Sequence, residues 1–300
     1  MARGTADPMP LARPLSESVI VVTGASGGIG AATAEAVAET GARVVLAARR
    51  TAALDEVAAR CVARGGAALP VPTDVTDPAA VEALADAATE RFGHIDAWVN
   101  NAAVALYARL AEAPLNEVRR VVDVNVFGYL HGVRTALPRL RASGGGVIVN
   151  IASVLSDLTA PYMGAYIFSK HAVRALSSIA RQELTDDRVS VCTVLPASID
   201  TPLYRHAANH LGRAARPVPP VYMPDHVAAV VVRLLRRPRR EAYAGRLGRL
   251  AVWPRRLVPG LTERFGAAAG PAVMLDDDPV PPTAGNLFAP DPAEPASERG

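Results

Sequence analysis

Residues 19–40 read VIVVTGASGGIGAATAEAVAET, and this stretch decides how the rest of the chain is organised. Val19 to Thr23 is a short, mostly β-branched apolar run with the composition of a buried strand. It passes directly into a loop holding Gly24, Ser26, Gly28, Ile29 and Gly30, with glycines spaced Gly-x3-Gly-x-Gly. An Ala-rich stretch suited to a helix follows, to about Thr40. Glycines at such a junction let the backbone turn sharply and approach a pyrophosphate closely. The N-terminus of the following helix favours that negative charge. A glycine-rich loop alone is a weak signal, but a strand before it and a helix after it make it a good one.

Outward from this unit the same alternation repeats. A second strand, Arg43 to Ala48, ends in Ala47-Ala48-Arg49-Arg50. In dinucleotide-binding folds an acidic residue near this strand end binds the ribose 2′-hydroxyl. Here two arginines stand after alanine, which suits a 2′-phosphate, with Arg49 as the candidate ligand. NADP(H) is therefore the expected cofactor, and NAD(H) is a possible one. A helix over about 51–64 leads to a strand near 68–72 and then to Asp74-Val75. Asp74 can accept from an adenine amino group, whereas Asp77 is better placed to cap the helix that Pro78 begins. The next helix ends near Phe92-Gly93, and a fourth strand, Ala97 to Val99, closes on Asn100-Asn101-Ala102-Ala103. This alternation predicts an α/β fold: one Rossmann-type doubly wound parallel sheet with helices on both faces. Ligands bind such sheets beyond the carboxyl ends of the strands.

The chemistry is concentrated further along. An apolar run from Val147 to Ile151 delivers Ser153 just past a strand end. Tyr166 and Lys170 then fall at i and i+4 of a helical segment, on one face. A phenol ionises near pH 10, and an ammonium beside it lowers that value, so the pair can supply a proton donor usable near neutrality. The Ser153 hydroxyl is placed to hold a substrate oxygen. Lys170 is the sole lysine among 32 Lys plus Arg. A chain that writes arginine elsewhere keeps lysine where a compact point donor is needed. Asn125, in VVDVNVFG within a helical stretch from about 116 to 141, needs polar partners among apolar neighbours. The strand Val189 to Leu195 runs into Pro196-Ala197-Ser198-Ile199-Asp200-Thr201, followed by a Pro-rich loop over 202–224 lying above the site.

Composition limits the alternatives. Half of the 300 residues are hydrophobic, aromatics are few, and the formal charge is +3 with a pI near 9.1. Cys61 and Cys192 each sit in apolar context and read as buried thiols, which fits the cytoplasm. The six His are scattered, with no metal-ligand spacing. Arginines cluster over 211–265 without the interleaved aromatics of a nucleic-acid surface, so no nucleic-acid partner is expected.

TGASGGIG, Asp74, NNAA, Asn125, Ser153, Tyr166-x3-Lys170 and PASIDT occur in one order. Together they resemble the short-chain dehydrogenase/reductase family over about residues 18–235. The resemblance implies a nicotinamide cofactor and hydride transfer to or from a carbonyl or alcohol carbon of a small molecule. It implies Tyr166 as acid/base, Lys170 lowering its pKa while binding the nicotinamide ribose, Ser153 orienting the substrate oxygen, and Asn125 supporting a proton-relay water. By the same resemblance the cofactor is bound by Gly24, Ser26, Gly28, Ile29, Gly30, Arg49, Asp74, Val75, Asn101, Ala102, Tyr166, Lys170, Pro196, Ile199 and Thr201, the last two at the carboxamide. Ala103 and Ala197 stand where the family favours glycine. The C-terminus departs further: after a helix over 225–235 and a short last strand, Glu241 to Ala244, the chain continues.

The expected organisation is a disordered leader over 1–17, the catalytic domain over 18–245, a basic apolar extension over 246–269 and a disordered acidic Pro-rich tail over 270–300. Pro254 and Pro259 are expected to break any long helix in the extension. Its arginines, Trp253 and aliphatic residues suit an anionic membrane surface over 246–265, or packing on its own domain or a neighbouring subunit of a homo-oligomer. Two other functions stand beside the leading one: a cofactor-binding regulator without turnover, and a membrane-surface enzyme of lipid-like substrates.

Overall fold

The computed structural model describes residues 9–185, 187–245 and 257–290. Strands and helices alternate as β1 (Val19–Thr23), α1 (Gly28–Ala38), β2 (Arg43–Ala48), α2 (Thr51–Ala63), β3 (Ala67–Pro72), α3 (Pro78–Phe92) and β4 (Ala97–Asn100). After β5 (Leu106–Tyr107) come α4 (Leu115–Val122), a π-helical turn (Asp123–Phe127), α5 (Gly128–Ala142), β6 (Gly146–Ile151), α6 (Gly164–Glu183) and β7 (Val189–Pro196). Four short strands follow: β8 (Ser198–Ile199), β9 (Ala208–Asn209), β10 (Arg213–Ala215) and β11 (Val221–Tyr222). Then come α7 (Pro224–Arg236), β12 (Glu241–Ala244), a helix here called α8 (Pro259–Met274) and β13 (Leu275–Pro279).

Seven strands form one sheet in the order β12-β7-β6-β4-β1-β2-β3, every pair parallel. The chain winds outward through β2 and β3, returns to β4 on the other side of β1, and winds outward again. The reversal leaves a crevice at the carboxyl ends of β1 and β4. β1, β4, β6 and β7 are buried along their whole length, because helices cover both faces. Val37, Leu54, Val57, Val227 and Leu234 from α1, α2 and α7 pack on one face. Val81, Leu84, Val133 and Leu140 from α3 and α5 pack on the other. Asp77 caps α3 by accepting from Ala79 N–H at 2.9 Å, Pro78 is its first residue, and Gly93 ends it at φ +88°.

Two expectations are corrected. Within the leader, residues 9–17 are tethered to the domain: Ser190 Oγ donates to the Met9 carbonyl at 2.8 Å, Arg13 pairs with buried Asp96 at 2.6 Å, and Leu11 and Leu15 rest on the core. Residues 1–8 lie outside the described residues. Pro259 is the first residue of α8, where no proline N–H is needed, and Val258 before it is non-helical, so no helix runs through Pro259 and a helix follows it. Residues 246–256 of the basic extension, with Pro254 and Trp253, lie outside the described residues. The tail expected to be disordered is built into the fold as far as Pro290. β13 pairs antiparallel with β10, Thr283 bridges to Asn209, and Leu287 is fully buried. Its composition is poor in apolar residues, yet Met274, Leu275 and Leu287 each reach the interior and anchor what lies between. The Pro-rich loop over 202–224 contains the short strands β9, β10 and β11.

Candidate active site

The glycine loop is shaped by contacts that exclude side chains. Gly24 has φ +66°, and a Cβ there would stand 2.7 Å from the Ala102 Cα. A Cβ on Gly30 would stand 2.1 Å from the Gly24 carbonyl oxygen. Asn101 pins the loop, its Nδ2 donating to the carbonyls of Thr23 at 3.0 Å and Gly24 at 3.2 Å. Thr23 Oγ1 in turn accepts from the amides of Asn101 and Ala102. Arg50 braces the outer side, donating to the Ser26 carbonyl at 3.1 Å. The first bond of α1 runs from Ala31 N–H to Gly27 O, and the amides at a helix start have no partner inside the helix. A flat cradle of glycine backbone at a helix N-terminus fits a pyrophosphate, so the residues present suit a dinucleotide.

One cleft runs from this loop to the first two turns of α6. Gly24, Ser26, Gly28, Ile29, Arg49, Asp74 and Val75 line one end of it. Asn101, Ala102, Pro196, Ile199 and Thr201 line its middle, and Ser153, Tyr166 and Lys170 the other end. Two predicted residues stand behind the wall. Gly30 backs the loop, and Asn125 is fully buried in the π-helical turn. Asn125 Oδ1 accepts from Val104 N–H at 2.9 Å, while Nδ2 donates to Val104 O at 3.0 Å and Ser169 Oγ at 2.9 Å. The extra residue of a π-turn re-aims a side chain inside a helix, and here it joins the segment after β4 to α6.

Ser153, extended at φ −168°, accepts from Leu155 N–H at 3.1 Å and caps the turn Val154–Ser156. Ser153 and Tyr166 line the same end of the cleft. Lys170 Nζ donates to the Ile151 carbonyl at 2.9 Å and to Tyr129 Oη at 3.3 Å, 5.6 Å from the Tyr166 ring centroid. Burial draws the Lys170 ammonium down to about 7 and pushes the Tyr166 phenol well above its ordinary value. The Ser153 hydroxyl opposes that rise only in part. Lowering of the phenol by an adjacent ammonium, expected from the i, i+4 spacing, is therefore not what dominates here: desolvation acts first. Sequence reasoning missed Tyr129, whose hydroxyl donates to the same Ile151 carbonyl at 2.9 Å. A tyrosine in GYLHG reads as core, and no spacing marks it.

At the far end of the cleft Asp74 accepts from Arg120 at 2.8 Å and from Thr76 N–H at 3.0 Å, and these bonds hold its carboxyl below the usual range against burial. Arg49 donates through Nη2 to the Asn286 carbonyl at 2.6 Å and through Nη1 to the carbonyls of Leu287 and Phe288 at 3.2 and 3.4 Å. Asn286 and Pro290 line the same cleft. None of these tail contacts could be read from the sequence.

The short chain dehydrogenase profile matches residues 18–211. The chain belongs to the short-chain dehydrogenase family. It is 34% identical over 257 residues to an uncharacterized oxidoreductase, YxnA, of Bacillus subtilis, covering 84% of this chain and 72% of that one. It is 37% identical over 225 residues to an uncharacterized oxidoreductase of Methylorubrum extorquens, covering 72% of this chain and 90% of the other. Among solved structures it resembles an alcohol dehydrogenase of the archaeon Thermococcus sibiricus complexed with 5-hydroxy-NADP, with TM-score 0.66, 29% identity and 75% of this chain and 95% of that one covered. A short-chain type dehydrogenase/reductase of Mycobacterium marinum superposes at TM-score 0.69 with 29% identity over 76% of this chain and 94% of the other. A short-chain dehydrogenase is an oxidoreductase of NAD(P), so both the fold class and the resemblance read from the sequence hold. Among the described residues no helix is long and apolar enough to cross a membrane.

Proposed function

We propose that this short-chain dehydrogenase interconverts a carbonyl compound and its secondary alcohol, with NADP(H) preferred over NAD(H). The carrying observation is that Ser153, Tyr166 and buried Lys170 together line the cleft that begins at the glycine loop. Bound nicotinamide supplies or accepts the hydride. In reduction Tyr166 O–H gives its proton to the carbonyl oxygen, and in oxidation the phenolate takes it back. Ser153 Oγ–H holds the substrate oxygen as its charge changes. Lys170 stabilises the ionised phenol, and Asn125 fixes the backbone between Val104 and α6 and supports a relay water. The substrate is apolar or mixed, because Pro202, Leu203 and Tyr204 line the cleft that holds Tyr166.

NADP(H) preference rests on Arg49 at the end of β2 and on the lack of an acidic residue between Val44 and Thr51. A cytoplasmic homo-oligomer without nucleic-acid partners fits the composition. A regulator without turnover is disfavoured, since all four catalytic side chains are retained. One observation favours contact with a membrane surface and lipid-like substrates: Leu261 and Phe265, one turn apart on α8 beside Arg264, are 67% and 72% exposed.

Steady-state kcat/KM for a panel of ketones and alcohols with both cofactors, for wild type and Arg49→Asp, is the test. A preference for NADP(H) that reverses in the Asp variant is expected. Wild-type preference for NAD(H), or an unchanged preference in the variant, removes the assignment of Arg49. Absence of turnover with every alcohol and ketone removes the reaction class. Sedimentation with phosphatidylserine vesicles tests the membrane contact.

A further inference from the structure

The guanidinium assigned above to the cofactor's 2′-phosphate is already held by the C-terminal segment. Both Nη atoms of Arg49 donate to three successive main-chain carbonyls, Asn286, Leu287 and Phe288. Arg120 Nε donates to the Leu287 carbonyl as well, at 2.9 Å, while its Nη2 holds Asp74. The side chain of Leu287 is fully buried in the cluster that contains Val75 and Val124. The segment is threaded by Thr283 N–H to Asn209 O at 3.0 Å and by Asn286 N–H to His206 O at 2.9 Å. It therefore reaches the cleft as a defined turn.

We propose that residues 280–290 compete with the 2′-phosphate for Arg49, so that docking of this segment sets the discrimination between NADP(H) and NAD(H). The inference rests on the proposed role of Arg49. Three carbonyl oxygens and a phosphate are all acceptors. Brought to the same face of one guanidinium they stand oxygen against oxygen with no proton between them, and one set leaves. The phosphate is the stronger ligand, since a charge-assisted bond is roughly twice as strong as one to a neutral acceptor. The docked state is also imperfect: Asn286 Oδ1 is buried at the cleft with no hydrogen-bond partner among the described residues, which favours release. NAD(H) carries a hydroxyl at that position, makes no claim on the guanidinium, and binds with the segment in place. Wild-type preference for NADP(H) is thus smaller than Arg49 alone would give.

The test uses the full chain. Leu287→Asp puts a carboxylate into the apolar socket and undocks the segment. Isothermal titration should then show NADP+ binding about tenfold tighter, as when one molecule in ten has the segment released in wild type. NAD+ binding should change less than twofold on the same argument. In wild type, saturating NADP+ should speed hydrogen exchange at the amides of Thr283 and Asn286, and NAD+ should not. This second measurement stands even if Leu287→Asp fails to fold. Unchanged or weaker NADP+ binding in a folded Leu287→Asp protein overturns the proposal. Exchange at those amides that NADP+ slows or leaves unaltered overturns it too, because the segment would then be a fixed wall of the site. Arg49→Ala separates the two inferences. If it weakens NADP+ selectively while the other measurements fail, only the competition is wrong. If it affects both cofactors equally, the role of Arg49 itself is wrong.

Discussion

The ammonium of Lys170 is tied to the main-chain carbonyl of Ile151, at 2.9 Å, and not to the phenol of Tyr166 four residues before it. β6 therefore holds this charge directly at its carboxyl end. The side chain is 2% exposed, and its neighbours within reach are the Tyr129 and Tyr166 rings. Among the described residues no carboxylate pairs with it, so its burial is offset only by the neutral Ile151 carbonyl and Tyr129 hydroxyl.

That cost gives the first prediction. Lys170 titrates near 10.5 when unfolded and at about 7 when folded, so the unfolded chain binds more protons between those values. Stability should rise with pH across that window, by at most about 1.4 kcal/mol per pH unit from this group. Lys170→Met should abolish turnover yet stabilise the fold at pH 7, with the gain over wild type shrinking towards pH 10. The Ile151 carbonyl still has the Tyr129 hydroxyl as donor in the variant. Urea unfolding of both proteins at pH 7, 8, 9 and 10 checks it; a variant less stable than wild type at pH 7 would refute the desolvation argument.

Tyr166→Phe keeps the ring in its apolar cluster and removes only the ionisable hydroxyl. Turnover should fall by about 10²–10⁴-fold with the fold intact. Because burial holds the phenol above its ordinary value, wild-type reduction should be insensitive to pH from the Tyr166 side through neutrality. Oxidation, which needs the phenolate, should climb as pH rises into the alkaline range. Rate profiles in both directions measure this, and an oxidation rate that peaks below neutrality contradicts it.

Much of this was legible because local rules and the fold agree. β2 and β12 fall at the residues that their apolar runs and flanking breaks indicate, and Asp77 caps α3 as the Asp-Pro pair suggests. The cleft was legible as well, since a parallel sheet leaves its ligands only one set of strand ends. Three things were not. The π-turn at Asn125 is a tertiary compromise, set by Val104 and Ser169 far away in sequence. The docking of residues 280–290 depends on main-chain carbonyls, which every residue possesses and no composition distinguishes. The balance at Tyr166 depends on how thoroughly water is excluded, which spacing alone does not encode.

Gly30→Ala should separate binding from chemistry. The new methyl would press on the Gly24 carbonyl oxygen and lie 2.6 Å from Asn101 Nδ2, loosening the Asn101 clamp on the loop. Both cofactors should bind at least about tenfold more weakly, since each 1.4 kcal/mol of lost contact is a factor of ten. The Ser153–Tyr166 pair, at the other end of the cleft, should keep its rate at saturating cofactor. Titration of NADP+ and NAD+ by fluorescence, beside kcat, reads the two effects apart. A variant with wild-type affinity for both would mean that the loop does not cradle the cofactor.

Asn125→Ala tests whether the π-turn positions the site or merely fills space. It removes three hydrogen bonds in a fully buried place and leaves the amide and carbonyl of Val104 without their side-chain partner. The loss should be about 2–4 kcal/mol of stability, from roughly 1–3 kcal/mol for each buried group left unpaired. Val104 belongs to the cleft wall just after Ala102 and Ala103, so kcat should fall well beyond what partial unfolding explains. Asn125→Asp should be worse than Ala in stability: its carboxylate can still accept from Val104 N–H but faces the Val104 carbonyl without a proton to give. Urea midpoints and kcat at a temperature well below both transitions measure the pair. If Asp proves more stable than Ala, the side-chain amide is not what holds Val104, and the π-turn is set by packing alone.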